Sequence, residues 1–235
     1  MKLVLLAAAS FAFSSAWCKD VDFGGVTFRM PEKGGGISVV ENGKGTRLFH
    51  TNLCYSDDKG RRFLKIDWTK PNKIEKLDTL EGRVAYRVTY PVKETDALQF
   101  STVYRFFEGT PGVVATEEVL AVKPVRIHSW NMTGANVFTS LNPDGEGEFP
   151  FPKPADQKAV SPRMKAMNSH LIASDADGRK FFYDRAFKTL EGKIFYHRYP
   201  KSLSRTEGTL LEPGQSMVFT HTAGRVLANG DEEKI

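Results

Sequence analysis

Apolar and polar residues alternate in short runs along this chain, and each run ends at a turn-forming residue. Residues 25–30 alternate and stop at Pro31, and the following runs are separated by residues such as Asn42 and Gly43. Gly and Asn supply the positive φ angles that tight connections between strands need. Because successive side chains of a strand point to opposite sides of a sheet, this period of two predicts half-buried β-strands.

About a dozen such runs follow one another at a spacing of roughly 8–12 residues, which is typical of β-sandwiches and barrels. The one candidate helix, residues 155–167, is interrupted by Pro162. Alternating strand–helix units are absent from the pattern, which argues against a parallel doubly wound sheet. The sequence therefore predicts an all-β fold, an antiparallel β-sandwich with little helix.

A proline-rich stretch, residues 141–167, holds five of the 12 prolines and breaks the alternation. A long connection of this kind is usually a functional loop or a disordered segment, and a surface excursion without a role is the alternative. Residues 19–227 show no internal repeat and no second boundary. We expect them to form a single domain, followed by a flexible charged tail at residues 228–235.

The amino terminus has the composition of a secretory signal peptide. Lys2 is followed by an uncharged apolar run at residues 3–13 and by small residues at 14–16. The run is too short to span a membrane, and polar sequence follows it. We expect residues 1–18 to be the signal, with cleavage after residue 16 or 18, and the mature protein to be secreted or periplasmic without a transmembrane segment.

The cleavage site decides the fate of the two cysteines, Cys18 and Cys54. Cleavage after residue 16 leaves both in an oxidising compartment, where they could pair, whereas cleavage after residue 18 leaves Cys54 alone. Pairing depends on the Cα separation, so both alternatives stay open. At the end of an apolar strand, Cys54 is more typical of a core residue than of a nucleophile.

Charge and motifs exclude several classes of function. Loss of Lys2 with the signal leaves 32 of the 33 basic residues, against 28 acidic ones. The basic residues are scattered among acidic ones, whereas a nucleic-acid-binding surface needs them gathered in a stripe. No phosphate-binding glycine loop, histidine pair at a metal-ligand interval or paired cysteine motif occurs. We expect no nucleic-acid partner, no cofactor and no metal.

The strongest candidate binding residues are Arg126, His128, Trp130 and Asn131. In a regular strand the first three share one face. The indole would then carry the CH face of a sugar ring, while the neighbouring polar groups bind hydroxyls or a carboxylate. A solvated strand face whose tryptophan covers a sheet edge is the alternative interpretation.

A second cluster lies at Tyr196, His197 and Arg198, where Tyr196 and Arg198 share a face. These residue types abstract a proton beside a uronic-acid carboxylate and neutralise the enolate, and they also line wet sugar-binding grooves. We expect Tyr196 and Arg198 to bind substrate, and His128, His197 and Tyr196 are the catalytic candidates. The alternative for His197 is a partly buried residue without a catalytic role.

Two pairs of neighbouring residues, each of which contains an acidic side chain, have less obvious roles. Glu117 and Glu118 are neighbours in a strand, so one of them must point toward the more buried side. A desolvated glutamate there would have a raised pKa, whereas a solvated sheet surface is the simpler explanation. Asp67 and Trp68 look like turn and strand-end residues.

Two hairpin segments resemble the galactose-mutarotase-like β-supersandwich superfamily. Residues 102–111 contain a tyrosine strand and an acidic-Gly turn, and residues 210–218 contain a Leu-Glu-Pro-Gly-Gln turn in which Pro213 precedes Gly214 at a positive φ. The resemblance implies a supersandwich with its ligand on a concave sheet, either epimerase-like or an accessory domain of polysaccharide-degrading enzymes.

These observations predict a secreted carbohydrate-binding or carbohydrate-modifying β-sandwich protein, for example an accessory to polysaccharide degradation. They leave open whether the protein is an enzyme. The alternative is a non-catalytic structural domain of the cell envelope that recruits protein partners through its sheet edges.

Overall fold

Every regular element of the described chain is a β-strand. The computed structural model describes residues 18–77, 83–134, 138–143, 149–150, 170–184, 187–190, 193–196, 203–204 and 206–227. The strands are β1 (Cys18–Phe23), β2 (Val26–Pro31), β3 (Ser38–Glu41), β4 (Lys44–Arg47), β5 (Phe49–Asp57), β6 (Gly60–Phe63), β7 (Lys73–Leu77), β8 (Arg83–Tyr90), β9 (Leu98–Phe107), β10 (Gly112–Ala121), β11 (Val125–Gly134), β12 (Phe138–Pro143), β13 (Phe149–Pro150), β14 (His170–Asp175), β15 (Lys180–Asp184), β16 (Phe187–Leu190), β17 (Lys193–Tyr196), β18 (Thr209–Leu211) and β19 (Ser216–Arg225).

The strands form three antiparallel sheets. Four strands run in the order β1-β2-β3-β4, and nine run in the order β13-β12-β14-β15-β19-β10-β9-β8-β7. The third sheet has the order β16-β17-β11-β5-β6, with β18 also paired to β11. The predicted all-β antiparallel sandwich is confirmed. The described ranges contain more than a dozen strands, because short hairpin arms such as β4 are strands of their own.

Aromatic side chains hold the sheets together. Trp130 of β11 contacts Phe100 of β9 at 6.5 Å and Phe219 of β19 at 6.0 Å between ring centroids, so the six-stranded sheet packs on the middle of the nine-stranded one. Phe28 of β2 lies 5.2 Å from Phe106 of β9, which places the four-stranded sheet on the same large sheet. One buried cluster runs through all three sheets.

The turn chemistry agrees with the sequence. Gly109 has a φ of 75° between β9 and β10, and Gly214 has a φ of 83° between β18 and β19. Cys54 is a free, buried thiol whose sulfur accepts a hydrogen bond from Arg61 Nε at 3.3 Å. Within the described ranges, no helix has the length and apolar character needed to cross a membrane.

Several predicted segments fall outside the described residues. They are the signal peptide up to residue 17, the tail at 228–235, and most of the proline-rich stretch. Within that stretch, residues 141–143 complete β12, and Phe149–Pro150 is β13, which pairs with β12.

Candidate functional site

A β-bulge in β11 decides where the predicted binding residues point. The register of β11 on β5 shifts between Ile127 and Ser129, so His128 is the extra residue. An extra residue reverses the alternation beyond it. Trp130 consequently lies with Ile127 in the core and is 0% exposed, whereas Arg126 and His128 are partly exposed. The prediction that Arg126, His128 and Trp130 share a face is wrong, and the indole is no surface platform.

Arg126 and His128 remain neighbours on the outer side of the six-stranded sheet. His128 Nε2 lies 2.9 Å from Ser56 Oγ, and the Arg126 guanidinium donates to the Glu207 carbonyl at 3.4 Å. Burial lowers the pKa of His128, and the positive charges of Arg61 and Arg126 lower it further. The structure thus brings two of the predicted residues together in a small basic cluster, and their role in binding stays a prediction.

The remaining predicted residues are only partly described. Asn131 pairs with Asn52 across β11 and β5, and Tyr196 of β17 pairs with Met132 of β11. The backbone of Tyr196 is therefore one strand away from that of Asn131, which agrees with a shared sheet. His197 and Arg198 lie outside the described residues, so their predicted roles are not tested.

A cavity of about 310 Å³ lies between the six-stranded and the nine-stranded sheets. Its buried walls include Phe49, Phe100, Tyr104, Glu117 and His221, and the half-buried Thr51 also lines it. Exposed side chains line its outer part, which we call the mouth and define by Lys65, Trp68 and Lys93. This volume is at the lower end of small-molecule sites, which span roughly 300–1,000 Å³.

Glu117 is the glutamate of the acidic pair that points inward. Its carboxyl accepts a hydrogen bond from Trp130 Nε1 at 2.9 Å and another from the Thr51 hydroxyl, so it joins β10 to both β11 and β5. Burial raises its pKa to about 7, although these two hydrogen bonds act in the opposite direction. The desolvated-glutamate alternative is therefore correct for Glu117, while Glu118 is partly exposed on the other face.

His221 lies beside Glu117 on the same face of the large sheet. Glu117 pairs with Phe219 and Ala115 with His221, so the two ionisable side chains are diagonal neighbours on β10 and β19. His221 Nε2 is 4.0 Å from Glu117 Oε1, and the Phe49 ring lies 4.2 Å from the imidazole. Burial lowers the pKa of His221 to about 3. Both side chains are therefore uncharged between about pH 3 and 7.

Two tyrosines complete the polar interior. The hydroxyl oxygens of Tyr90 and Tyr104 lie 2.8 Å apart in the buried core. Burial raises the pKa of Tyr90 to about 12 and that of Tyr104 well above its usual value. Phe100 stacks on Tyr90 with a centroid distance of 5.4 Å. The cavity thus presents neutral hydrogen-bonding groups set among aromatic rings.

Trp68 is the exposed aromatic residue of the mouth. Its side chain is 53% exposed, and the Arg47 guanidinium lies 5.4 Å from the centre of its ring. Gly34 lies against the ring so closely that a Cβ there would be 2.1 Å from it. Asn72 fixes this glycine segment, because its side-chain amide donates to the carbonyls of Pro31 and Gly34 at 2.9 and 2.8 Å. The indole is therefore held in place while much of it faces solvent.

The close approach of Gly34 gives a testable prediction. Gly34 and Gly43 have φ angles of 77° and 76°, but a Cβ at Gly43 meets no atom within 4 Å. Both alanine variants carry the backbone penalty of a positive φ, and only Gly34→Ala must also displace Trp68. We expect Gly34→Ala to lower the free energy of unfolding by about 2–3 kcal/mol and Gly43→Ala by about 1 kcal/mol. Equal losses in urea unfolding would contradict the packing described here.

Sequence reasoning missed the roles of Trp68 and His221. The alternation along β19 could have indicated that His221 points inward. Met217, Phe219 and His221 share its buried face and alternate with residues of the opposite face. Trp68 lies in an irregular turn, where no periodicity reports the direction of a side chain. In the described ranges, no group of three or more His, Cys, Asp or Glu side chains is arranged to hold a metal ion.

No protein-family model and no curated protein sequence matches the chain. Among solved structures, a variant of the GH36 α-galactosidase AgaA from Geobacillus stearothermophilus matches 88% of the chain with a TM-score of 0.56 and 9% identity. An α-galactosidase from Lactobacillus brevis matches 90% with a TM-score of 0.53 and 9% identity. A galactose mutarotase related enzyme from Lactobacillus acidophilus matches 93% of the chain and 100% of its own, with a TM-score of 0.45 and 7% identity.

The two α-galactosidase structures establish the fold alone, and they agree with the antiparallel β-sandwich predicted from the sequence. The chain spans 40% of the first α-galactosidase and 39% of the second.

Proposed function

We propose that this protein binds carbohydrate, with a sugar ring at the mouth of the cavity between its sheets. The observation that carries the proposal is the position of Trp68, an exposed indole held at the entrance of a cavity whose interior is aromatic and polar but uncharged. Sugars have an apolar CH face that stacks on an indole and hydroxyls that need neutral hydrogen-bonding partners.

The interior groups suit such a ligand. Glu117, His221 and the hydroxyls of Tyr90 and Tyr104 are neutral near pH 6, so a sugar hydroxyl meets donors and acceptors without a buried charge. The volume of about 310 Å³ favours one sugar unit over a long stretch of polymer. The α-galactosidases that share the fold bear names of carbohydrate-active enzymes, which adds support to this class of ligand.

The setting of this activity is part of the proposal. The apolar run near the amino terminus supports a secreted or periplasmic protein, in a setting where polysaccharides are met. There the domain would act as an accessory to polysaccharide degradation.

Replacing Trp68 with alanine tests the proposal. We expect the mature protein to be retarded in affinity gels that contain polysaccharide, and Trp68→Ala to weaken binding about tenfold through loss of the stacking surface. Phe63→Ala is the matched control, because Phe63 is 60% exposed on β6 and does not line the cavity. Absence of retardation on a broad panel of neutral and acidic polysaccharides would refute the proposed function.

A further inference from the structure

Two lysines stand together at the mouth of the cavity. Lys65 follows β6 and Lys93 follows β8, and the backbone N–H of Lys93 donates to the Lys65 carbonyl at 2.8 Å. This bond ties the two segments side by side, and both lysines line the same cavity. Their side chains are 59% and 43% exposed, which leaves them accessible to a ligand.

The acidic groups near these lysines do not line the cavity. Glu94 lies 3.1 Å from Lys65 Nζ, and Asp67 lies 3.6 Å from Lys93 Nζ. Asp67 also accepts hydrogen bonds from the backbone and hydroxyl of Thr69 and lies 3.8 Å from Lys70 Nζ. The pair of Lys65 with Glu94 is exposed on both sides, and such pairs are weak. Asp67 is buried, and only the Lys93 side of its pair faces solvent. Both ammonium groups are therefore accessible to an incoming anion.

Other charged and titratable groups at the site make the mouth of the cavity more positive than its interior. The Arg47 guanidinium over Trp68 adds a third positive charge beside the mouth, and His50 also lines the cavity. The Glu117 carboxyl is the acidic side chain of the lining, and it is buried with its hydrogen bonds directed to Trp130 and Thr51. The surface that a ligand meets on entry is therefore positive, and the surface that it meets inside is neutral.

We propose that the saccharide is anionic, with a carboxylate or sulfate bound between Lys65 and Lys93 and its uncharged ring directed inward past Trp68. This inference rests on the proposed function and specifies its class of ligand. An anion between Lys65 and Lys93 receives charge-assisted hydrogen bonds from two ammonium groups at once, whereas moving it in among the aromatic rings would cost its hydration. The anionic group of the sugar thus binds at the rim and its uncharged ring inside the cavity, which fixes the orientation of the sugar.

The test compares charged and neutral forms of the same polymers. Dissociation constants are measured for polygalacturonate, its fully methyl-esterified form, galactan and sulfated galactan. We expect the charged polymers to bind at least about tenfold more tightly than their neutral counterparts, as one charged hydrogen bond would provide. Preference for polygalacturonate alone identifies a carboxylate, and preference for sulfated galactan alone identifies a sulfate; either result supports the proposal.

The double variant Lys65→Gln/Lys93→Gln should lose this preference, so that it binds the charged and neutral forms of each polymer with the same dissociation constant. Lys73→Gln/Lys123→Gln removes the same charge from exposed lysines that are paired with Glu75 and Asp96 away from the cavity, and should behave like wild type. Equal binding of charged and neutral polymers overturns the anionic ligand and leaves the proposed function intact. A preference for charge that survives in the double variant overturns the assignment to these lysines. Binding to none of the four overturns the anionic ligand, and retardation by another polysaccharide of the broad panel then decides whether the proposed function stands.

Discussion

Replacing Trp130 with alanine is expected to lower the free energy of unfolding by about 3–5 kcal/mol, the largest effect of any single substitution proposed for this chain. The indole is 0% exposed, contacts Phe100 and Phe219 of the opposite sheet, and donates a hydrogen bond to Glu117. Alanine leaves a void between the two sheets and removes a partner of a buried carboxyl. Urea unfolding at pH 6 measures the loss.

Two further variants separate the causes. Trp130→Phe keeps most of the ring volume and removes the Nε1 donor, so the expected loss is about 1–3 kcal/mol. Trp68→Ala truncates a tryptophan that is 53% exposed, and its loss should stay below about 1 kcal/mol. If Trp130→Ala were as stable as Trp68→Ala but failed to bind saccharide, the surface-platform interpretation of Trp130 would have to be restored.

The stability of the protein is expected to depend on pH through Glu117 and His221. Folding raises the pKa of Glu117 from 4.5 to about 7, so its stabilising contribution is complete below pH 4.5 and is lost as the pH rises to 7. Folding lowers the pKa of His221 from 6.5 to about 3, so its contribution is complete above pH 6.5 and is lost as the pH falls toward 3. The two slopes oppose each other between pH 4.5 and 6.5, where wild-type stability should be nearly constant.

Glu117→Gln isolates the glutamate. The free energy of unfolding of wild type relative to Glu117→Gln should fall by about 3 kcal/mol between pH 4.5 and 7.5, because only wild type loses a proton from the core. Glu118→Gln makes the same change on the partly exposed face of β10 and should keep the wild-type profile. If the difference in free energy of unfolding between wild type and Glu117→Gln stays constant over this pH range, Glu117 is not desolvated.

The fold could be predicted because its determinants are local. Gly109 and Gly214 take the positive φ angles that their turns require, and the alternation between turns reports strands without knowledge of their partners. Local sequence does not determine which face of a strand points to the core, because a β-bulge can reverse the alternation. A single extra residue at His128 moved Trp130 from the predicted outer face to the core, and no feature of residues 125–131 announces that bulge.

The candidate site was less accessible to sequence reasoning because it is assembled from distant strands. Glu117 and His221 are more than 100 residues apart and meet only through the pairing of β10 with β19. The alternation of the strand requires either Glu117 or Glu118 to point inward but does not say which. The hydrogen bonds of Trp130 and Thr51 to Glu117 show that Glu117 is the inward residue. Trp68 gained its role from Gly34 and Arg47, which lie in other segments of the chain.

The contrast between Trp68 and Trp130 has a practical consequence for spectroscopy. An indole in contact with water emits at long wavelength and is quenched by iodide, whereas one surrounded by phenyl rings emits at shorter wavelength and is shielded from the quencher. Trp68 and Trp130 stand at these two extremes within one chain. Where cleavage after residue 18 removes Trp17, intrinsic fluorescence can therefore follow occupancy of the entrance and integrity of the interior as two separate signals in a single titration.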